Sequence, residues 1–148
     1  MVYALEQTHR MLAPHGYLVD LRPFRNPRHR RTTLPQVACV LNGREVPVGV
    51  LEESVADDLA ADRAVQHVLG RGLFTLQSAE TLRFRAYFRT LEIFDTFRKE
   101  AAGSAPRTWR DNTFRASSRR RLQALLHKYP QAQIVIVELV RLNVMRKL

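Results

Sequence analysis

Asp20 and Arg22 stand at the end of a compact apolar run, Tyr17-Leu18-Val19-Asp20-Leu21, with Arg25 close behind. In open α/β sheets the C-terminal ends of strands face the ligand crevice. A carboxylate and guanidinium groups in that position make Asp20, Arg22 and Arg25 a candidate ligand-binding group for a polar molecule. The same residues also read as an ion pair closing a strand end.

The other chemistry-bearing residues do not assemble. His9 and His15 straddle a helix end, His29 sits in a basic loop, and His67 and His127 fall on separate helices. No His-x-x-x-His or His-Glu pair occurs, so no zinc site is expected. Ser117-Ser118 lacks the glycine elbow of a serine nucleophile. Cys39, between Ala38 and Val40, reads as a buried thiol. Being the one cysteine, it excludes an internal disulfide and the paired-cysteine metal signatures, and it fits a reducing cytoplasm. No catalytic residue, cofactor or metal is expected.

Two arginine groups remain. Arg22, Arg25, Arg28, Arg30 and Arg31 occupy one loop with His29; Arg115, Arg119, Arg120 and Arg121 lie on a helix preceded by Arg107 and Arg110. Arginine's planar fork suits phosphate and carboxylate, so Arg28, Arg30, Arg31, Arg115, Arg119 and Arg120 are candidate anion-binding residues. Trp109 and Phe114 are nearby aromatics on which a base can stack. No helix-turn-helix, zinc-finger or ribonucleoprotein motif accompanies them, and solvated charge is the simpler reading.

Composition sets the frame. The chain has 148 residues, 45% hydrophobic and 26% charged, the balance of one globular domain spanning 1–148. The net charge of +10 is uneven: residues 1–74 hold 9 Lys/Arg against 8 Asp/Glu, residues 75–148 hold 15 against 6. The longest strongly apolar run, Ile134-Val135-Ile136-Val137, is followed at once by Glu138, so no segment is long enough to span a bilayer. Glu6, Thr8, His9 and Arg10 interrupt any signal-peptide core. A cytoplasmic protein without a membrane partner is expected.

Patterning predicts the elements that carry these residues. Ala4–Leu12 reads as a short helix, stopped by Pro14-His15-Gly16 with Gly16 free to take positive φ. Tyr17–Leu21 reads as a strand, and residues 23–35, with Pro23, Pro27 and Pro35, as an exposed loop. Val37–Leu41 and Glu45–Leu51 flank Asn42-Gly43, the dipeptide of a type I′ hairpin; Pro47 places its strand at an edge or points its nitrogen to solvent. Ser54 caps a helix over Val55–Leu69, ended by Gly70 and Gly72. Leu73–Leu76 and Leu82–Phe88 read as separate strands. Thr90 caps a helix ending near Gly103. Asp111 or Asn112 starts another that stops before Pro130, and Gln133–Val144 is a long β-branched strand. The expected fold class is α+β: a mixed, mostly antiparallel sheet of about five strands with three or four helices.

The segment Leu5-Glu6-Gln7-Thr8-His9-Arg10-Met11-Leu12-Ala13-Pro14-His15-Gly16-Tyr17-Leu18-Val19-Asp20-Leu21-Arg22-Pro23 resembles part of the class I S-adenosylmethionine-dependent methyltransferases. Many of those carry a helix ending in an arginine, an aliphatic pair, a Leu-x-Pro-Gly-Gly turn and then the fifth strand of the sheet. Met11-Leu12 stands for the aliphatic pair and Ala13-Pro14-His15-Gly16 for the turn, with His15 replacing the first glycine. The match covers residues 4–23; the later order of elements is similar to a diverged C-terminal half. The resemblance implies a fifth strand without the cofactor-binding half before it. No Gly-x-Gly run opens a helix, since Gly70-Arg71-Gly72 ends one, and close backbone approach to a cofactor needs such glycines. No methyl transfer is therefore expected from this chain alone. It reads as a fragment that kept a fold, or as a piece whose other half is a separate chain.

Three functional readings follow. The first is a non-catalytic methyltransferase-like remnant with a binding or structural role. The second is a sequence-nonspecific nucleic-acid or polyanion binder. The third is an enzyme with an unrecognised polar site near Asp20 and Arg22. A homodimer is expected, because a fifth-strand-like segment that has lost its neighbour presents an edge to a second copy. The hairpin, the strand Gln133–Val144 or the 23–35 loop are the alternatives for filling that gap.

Overall fold

The computed structural model describes residues 1–52, 55–104 and 113–148. Among them the chain forms five α-helices and six strands: α1 (Val2–Met11), β1 (Tyr17–Pro23), α2 (Arg30–Thr33), β2 (Gln36–Leu41), β3 (Arg44–Glu52), α3 (Ala56–Gly70), β4 (Phe74–Phe88), α4 (Leu91–Ser104), β5 (Thr113–Phe114), α5 (Ala116–Lys128) and β6 (Gln133–Lys147). The class is α+β, and the described registers β1–β6, β2–β6, β2–β3 and β3–β5 are all antiparallel. The chain divides into two compact units, one of residues 1–25, 55–82 and 139–148, the other of residues 26–54 and 83–138. β4 and β6 each contribute to both.

In the first unit β1 runs against the second half of β6, from Tyr17 opposite Arg146 to Pro23 opposite Val140. Beside β1 lies the chain's own C-terminal strand, β6. The core joins Leu5 of α1, Ala64, Val65 and Val68 of α3, Phe74 and Met145. Burying such apolar side chains contributes roughly 1.5–3 kcal/mol each, which is what holds two short helices on so small a sheet. α3 ends where Gly72 takes φ +69° and the amides of Gly72 and Leu73 bond back to Leu69 and Val68. The turn after α1 differs from expectation. His15, not Gly16, takes the left-handed conformation, with φ +60°. Gly16 is needed for space instead: its amide donates to the Ala13 carbonyl, and a Cβ there would lie 2.9 Å from that oxygen.

In the second unit Asn42 and Gly43 both have positive φ, as a type I′ turn requires. The hairpin is bulged: Val37 opposes Gly49 while Ala38 opposes Pro47, leaving Val48 as the extra, buried residue. β3 meets β5 only at Leu51 and Glu52, so Pro47 lies off that ladder. The core gathers Val37, Cys39, Val48, Leu51, Phe88, Phe94, Phe114, Leu122, Ile134 and Ile136. α5 comes close enough to β3 that a Cβ on Gly49 would fall 2.3 Å from Ser118 Oγ.

Several boundaries move. Residues 23–35 are not all loop: a 3₁₀ turn at Pro27–His29 and the one-turn α2 form because Asn26 Oδ1 accepts from the Arg28 amide and Thr33 Oγ1 from the Asn26 amide. β4 is one strand of 15 residues, not two. β5 precedes α5, whose N-cap position is Arg115; the capping roles expected of Ser54, Asp111 and Asn112 lie outside the described residues. Thr90 Oγ1 does cap α4, accepting from the Ile93 amide at 3.2 Å.

Candidate functional site

Alternation along β1 decides where its polar residues go. Tyr17, Val19 and Leu21 are exposed, so Leu18, Asp20 and Arg22 project from the opposite face, where α3 packs. Across the strand pair Asp20 faces Asn143 and Arg22 faces Arg141. On α3, Asp58 and Asp62 are four apart and share a face.

These residues form one polar network within the first unit. Arg22 donates through Nε to Asp20 Oδ2 at 2.8 Å and Oδ1 at 3.1 Å, and through Nη1 to Asp62 Oδ1 at 2.5 Å. Asn143 Nδ2 donates to Asp20 Oδ2 at 2.8 Å. Arg141 Nη1 lies 3.9 Å from Asp62 Oδ1, and its guanidinium stacks 4.2 Å from the Phe24 ring centre. Arg25 donates through Nη1 to the Phe24 carbonyl; its Nε lies 3.2 Å from Asp58 Oδ2 without the alignment of a hydrogen bond.

The side chains of Asp20 and Arg22 are each only 10% exposed. Burial pulls the Arg22 guanidinium down, but its hydrogen bonds to Asp20 and Asp62 win and hold its pKa above the ordinary value. Among these residues three carboxylates, Asp20, Asp58 and Asp62, stand against three guanidinium groups, Arg22, Arg25 and Arg141. Buried charges persist when paired and hydrogen-bonded, and Asp20 and Arg22 meet both conditions. Chemically it is suited to fastening α3 to the sheet. None of Asp20, Arg22 or Arg25 lines the cavities described below.

The arginine groups separate into paired and free members. Arg119 grips Asp95 with two bonds, Nη1 to Oδ1 at 2.6 Å and Nη2 to Oδ2 at 2.5 Å, tying α5 to α4. That bond holds the Asp95 carboxyl below its usual range, against the opposing effect of burial, with Arg98 and Lys99 adding to it. Arg98 packs over the rings of Phe94 and Phe114, and burial lowers its pKa. Arg115 binds Glu52 through Nε at 2.7 Å. By contrast Arg28, Arg31, Arg120 and Arg121 are exposed and form no ion pair among the described residues. Arg30 lies in α2, its side chain outside the described set, as are Arg107, Trp109 and Arg110.

Arg31 and Arg115, from the two groups, line one cavity of about 370 Å³ with Leu34, Val50 and Glu52. A second cavity of about 380 Å³ runs along α4. A third of about 190 Å³ is lined by Glu6, His9, Arg10, Arg71 and Leu73. Among the described residues no group of three or more His, Cys, Asp or Glu is placed to hold a metal ion, and no helix is long and apolar enough to cross a membrane. Cys39 is fully buried, and burial pushes its thiol pKa up.

Sequence reasoning found Asp20, Arg22 and Arg25 but missed Asp58, Asp62, Arg141 and Asn143. The signal available was weak: a four-residue spacing of aspartates on α3, and polar residues alternating on β6.

No family model, curated protein or solved structure matches the chain.

Proposed function

We propose that the chain is a non-catalytic, methyltransferase-like remnant with a binding or structural role, and that it pairs with a second copy of itself through β1. The observation that carries the pairing is the state of β1. It ends the strand order, with β6 as its one partner among the described residues. Tyr17, Val19 and Leu21 on its open face are 59%, 59% and 63% exposed. Their cross-strand neighbours include half-buried Val144 and Leu142. An apolar row beside an open strand edge favours association. Val19, Leu21, Leu142 and Val144 carry no charge, and Arg146, opposite Tyr17, stands at the end of this row. A two-fold contact closes such a surface with one copy.

The polar network supports the non-catalytic part of the reading. Both oxygens of Asp20 accept hydrogen bonds, from Arg22 and Asn143. A general base or a ligand-binding guanidinium works with an open valence. Calorimetric titration with S-adenosylmethionine tests it, with no heat of binding expected; micromolar binding at one site per chain would overturn it. Light scattering across the micromolar range tests the pairing, and a mass of one chain throughout would refute it.

A second reading, binding of nucleic acid or another polyanion, draws on exposed Arg28, Arg31, Arg120 and Arg121 and on the shared cavity of Arg31 and Arg115. Retention on heparin at low salt, lost steeply as salt rises, is its expected signature.

A further inference from the structure

The cavity along α4 combines exposed apolar surface with negative charge on a strongly basic chain. Its floor is Phe88, and its lining is Glu92, Ile93, Thr96, Phe97 and Glu100. Ile93 is 50% and Phe97 43% exposed, although both are large and apolar. The Phe97 ring leans on Phe88, with centres 5.0 Å apart and planes tilted by 48°, so the floor is held by aromatic packing.

Helical spacing orders the rest. Ile93 and Phe97 are four apart and form an apolar row; Glu92, Thr96 and Glu100 form the next row, at the same spacing. Carboxylates therefore run along one side of the apolar groove. Lys99 is on the same helix but does not line it. The formal charge of the chain is +10, yet the charged residues that line this groove among the described residues are both acidic.

We infer that the α4 groove is a docking site for a cationic amphipathic helix of another protein. A helix with apolar side chains at i, i+3, i+4 and i+7 can set them over Phe88, Ile93 and Phe97, with flanking Lys or Arg reaching Glu92 and Glu100. Charge argues for this occupant. Glu92 and Glu100 beside the apolar row offer carboxylates to a cationic segment, a local attraction on a chain whose net charge is +10. A second copy does not offer the required segment from its most basic described helix. α5 buries Leu122 and packs Leu125 and Leu126 against its own core.

The test uses the full chain and a fluorescent leucine–lysine amphipathic helix of about 18 residues, with a leucine–glutamate counterpart as control. The expected result is saturable anisotropy with the cationic probe at one site per chain, and at least about tenfold weaker binding of the acidic probe. Glu92→Gln/Glu100→Gln should weaken the cationic probe about tenfold and flatten its salt dependence. Ile93→Ser, at a half-exposed position, should abolish binding while thermal unfolding stays close to that of the parent. Equal binding of both probes, no binding of the cationic one, or indifference to both variants would overturn the inference. So would an Ile93→Ser chain that changes its mass in light scattering, since the groove would then belong to a contact between copies.

Discussion

Asn143 Nδ2 donates to Asp20 Oδ2 at 2.8 Å across the β1–β6 pair, where the two residues stand directly opposite in register. That bond, with the Arg22 bonds, makes Asp20 the hub of the first unit's polar network. Asp20→Ala leaves Arg22 and Asn143 short of a partner in a buried setting. It should cost about 3 kcal/mol of stability, read from the urea midpoint. Replacing the pair together, Asp20→Leu with Arg22→Met, should recover part of the loss, because one charge of each sign is removed and Asp62 keeps Arg141 nearby. An Asp20→Ala chain as stable as the parent would return Asp20 to the list of ligand-binding candidates.

Acid should weaken the joint between α4 and α5. The pKa of Asp95 is lowered in the folded chain by its bond from Arg119, so the folded state binds fewer protons there than the unfolded one. Its contribution is present above the ordinary carboxylate range and is lost as pH falls through the folded value, below about pH 4. Asp95→Asn should therefore lower stability at neutral pH and flatten its decline in acid. Urea titrations at several pH values check this; parallel acid limbs for both proteins would count against it.

Gly49 lies at the bulge and under Ser118 of α5, with room for no Cβ. Gly49→Ala should cost about 1–3 kcal/mol through overpacking. In a Ser118→Gly background the same substitution should cost less, since both contacts under 3 Å are with that side chain. Additive losses in the double variant would show that the crowding lies elsewhere.

The turn before β1 holds His15 at φ +60°, a conformation that glycine adopts freely. His15→Gly should raise stability by up to about 1 kcal/mol. Gly16→Ala should lower it, because its Cβ would press on the Ala13 carbonyl. Thermal unfolding of the two variants should shift in opposite directions.

What the sequence showed and hid follows from the range of the interactions. Asn42-Gly43 announced the hairpin because a type I′ turn needs two positive φ values in adjacent residues. Thr90 and Pro130 bounded their helices for equally local reasons. β4 read as two strands because Gln77-Ser78-Ala79-Glu80-Thr81 is largely polar, yet that stretch is extended within one strand. His15 and Gly16 exchanged roles because spacing cannot distinguish a glycine needed for φ from one needed for room. Half of the Asp20 network was invisible because it depends on β6 lying beside β1 and on α3 lying over both. Asp20 and Asn143 are 123 residues apart. Leu91, Phe94 and Phe97 stand at helical spacing, but Phe94 is buried while Phe97 is 43% exposed, a difference that spacing alone does not carry.

Light scattering of the parent and of Val19→Lys/Leu21→Lys, over a range of micromolar concentrations, tests the proposed role of β1 most directly. Both substitutions fall on the exposed row, so the fold should survive them. The account predicts a mass of two chains for the parent and of one chain for the variant. One chain for the parent at every concentration, or two for a folded variant, would contradict it.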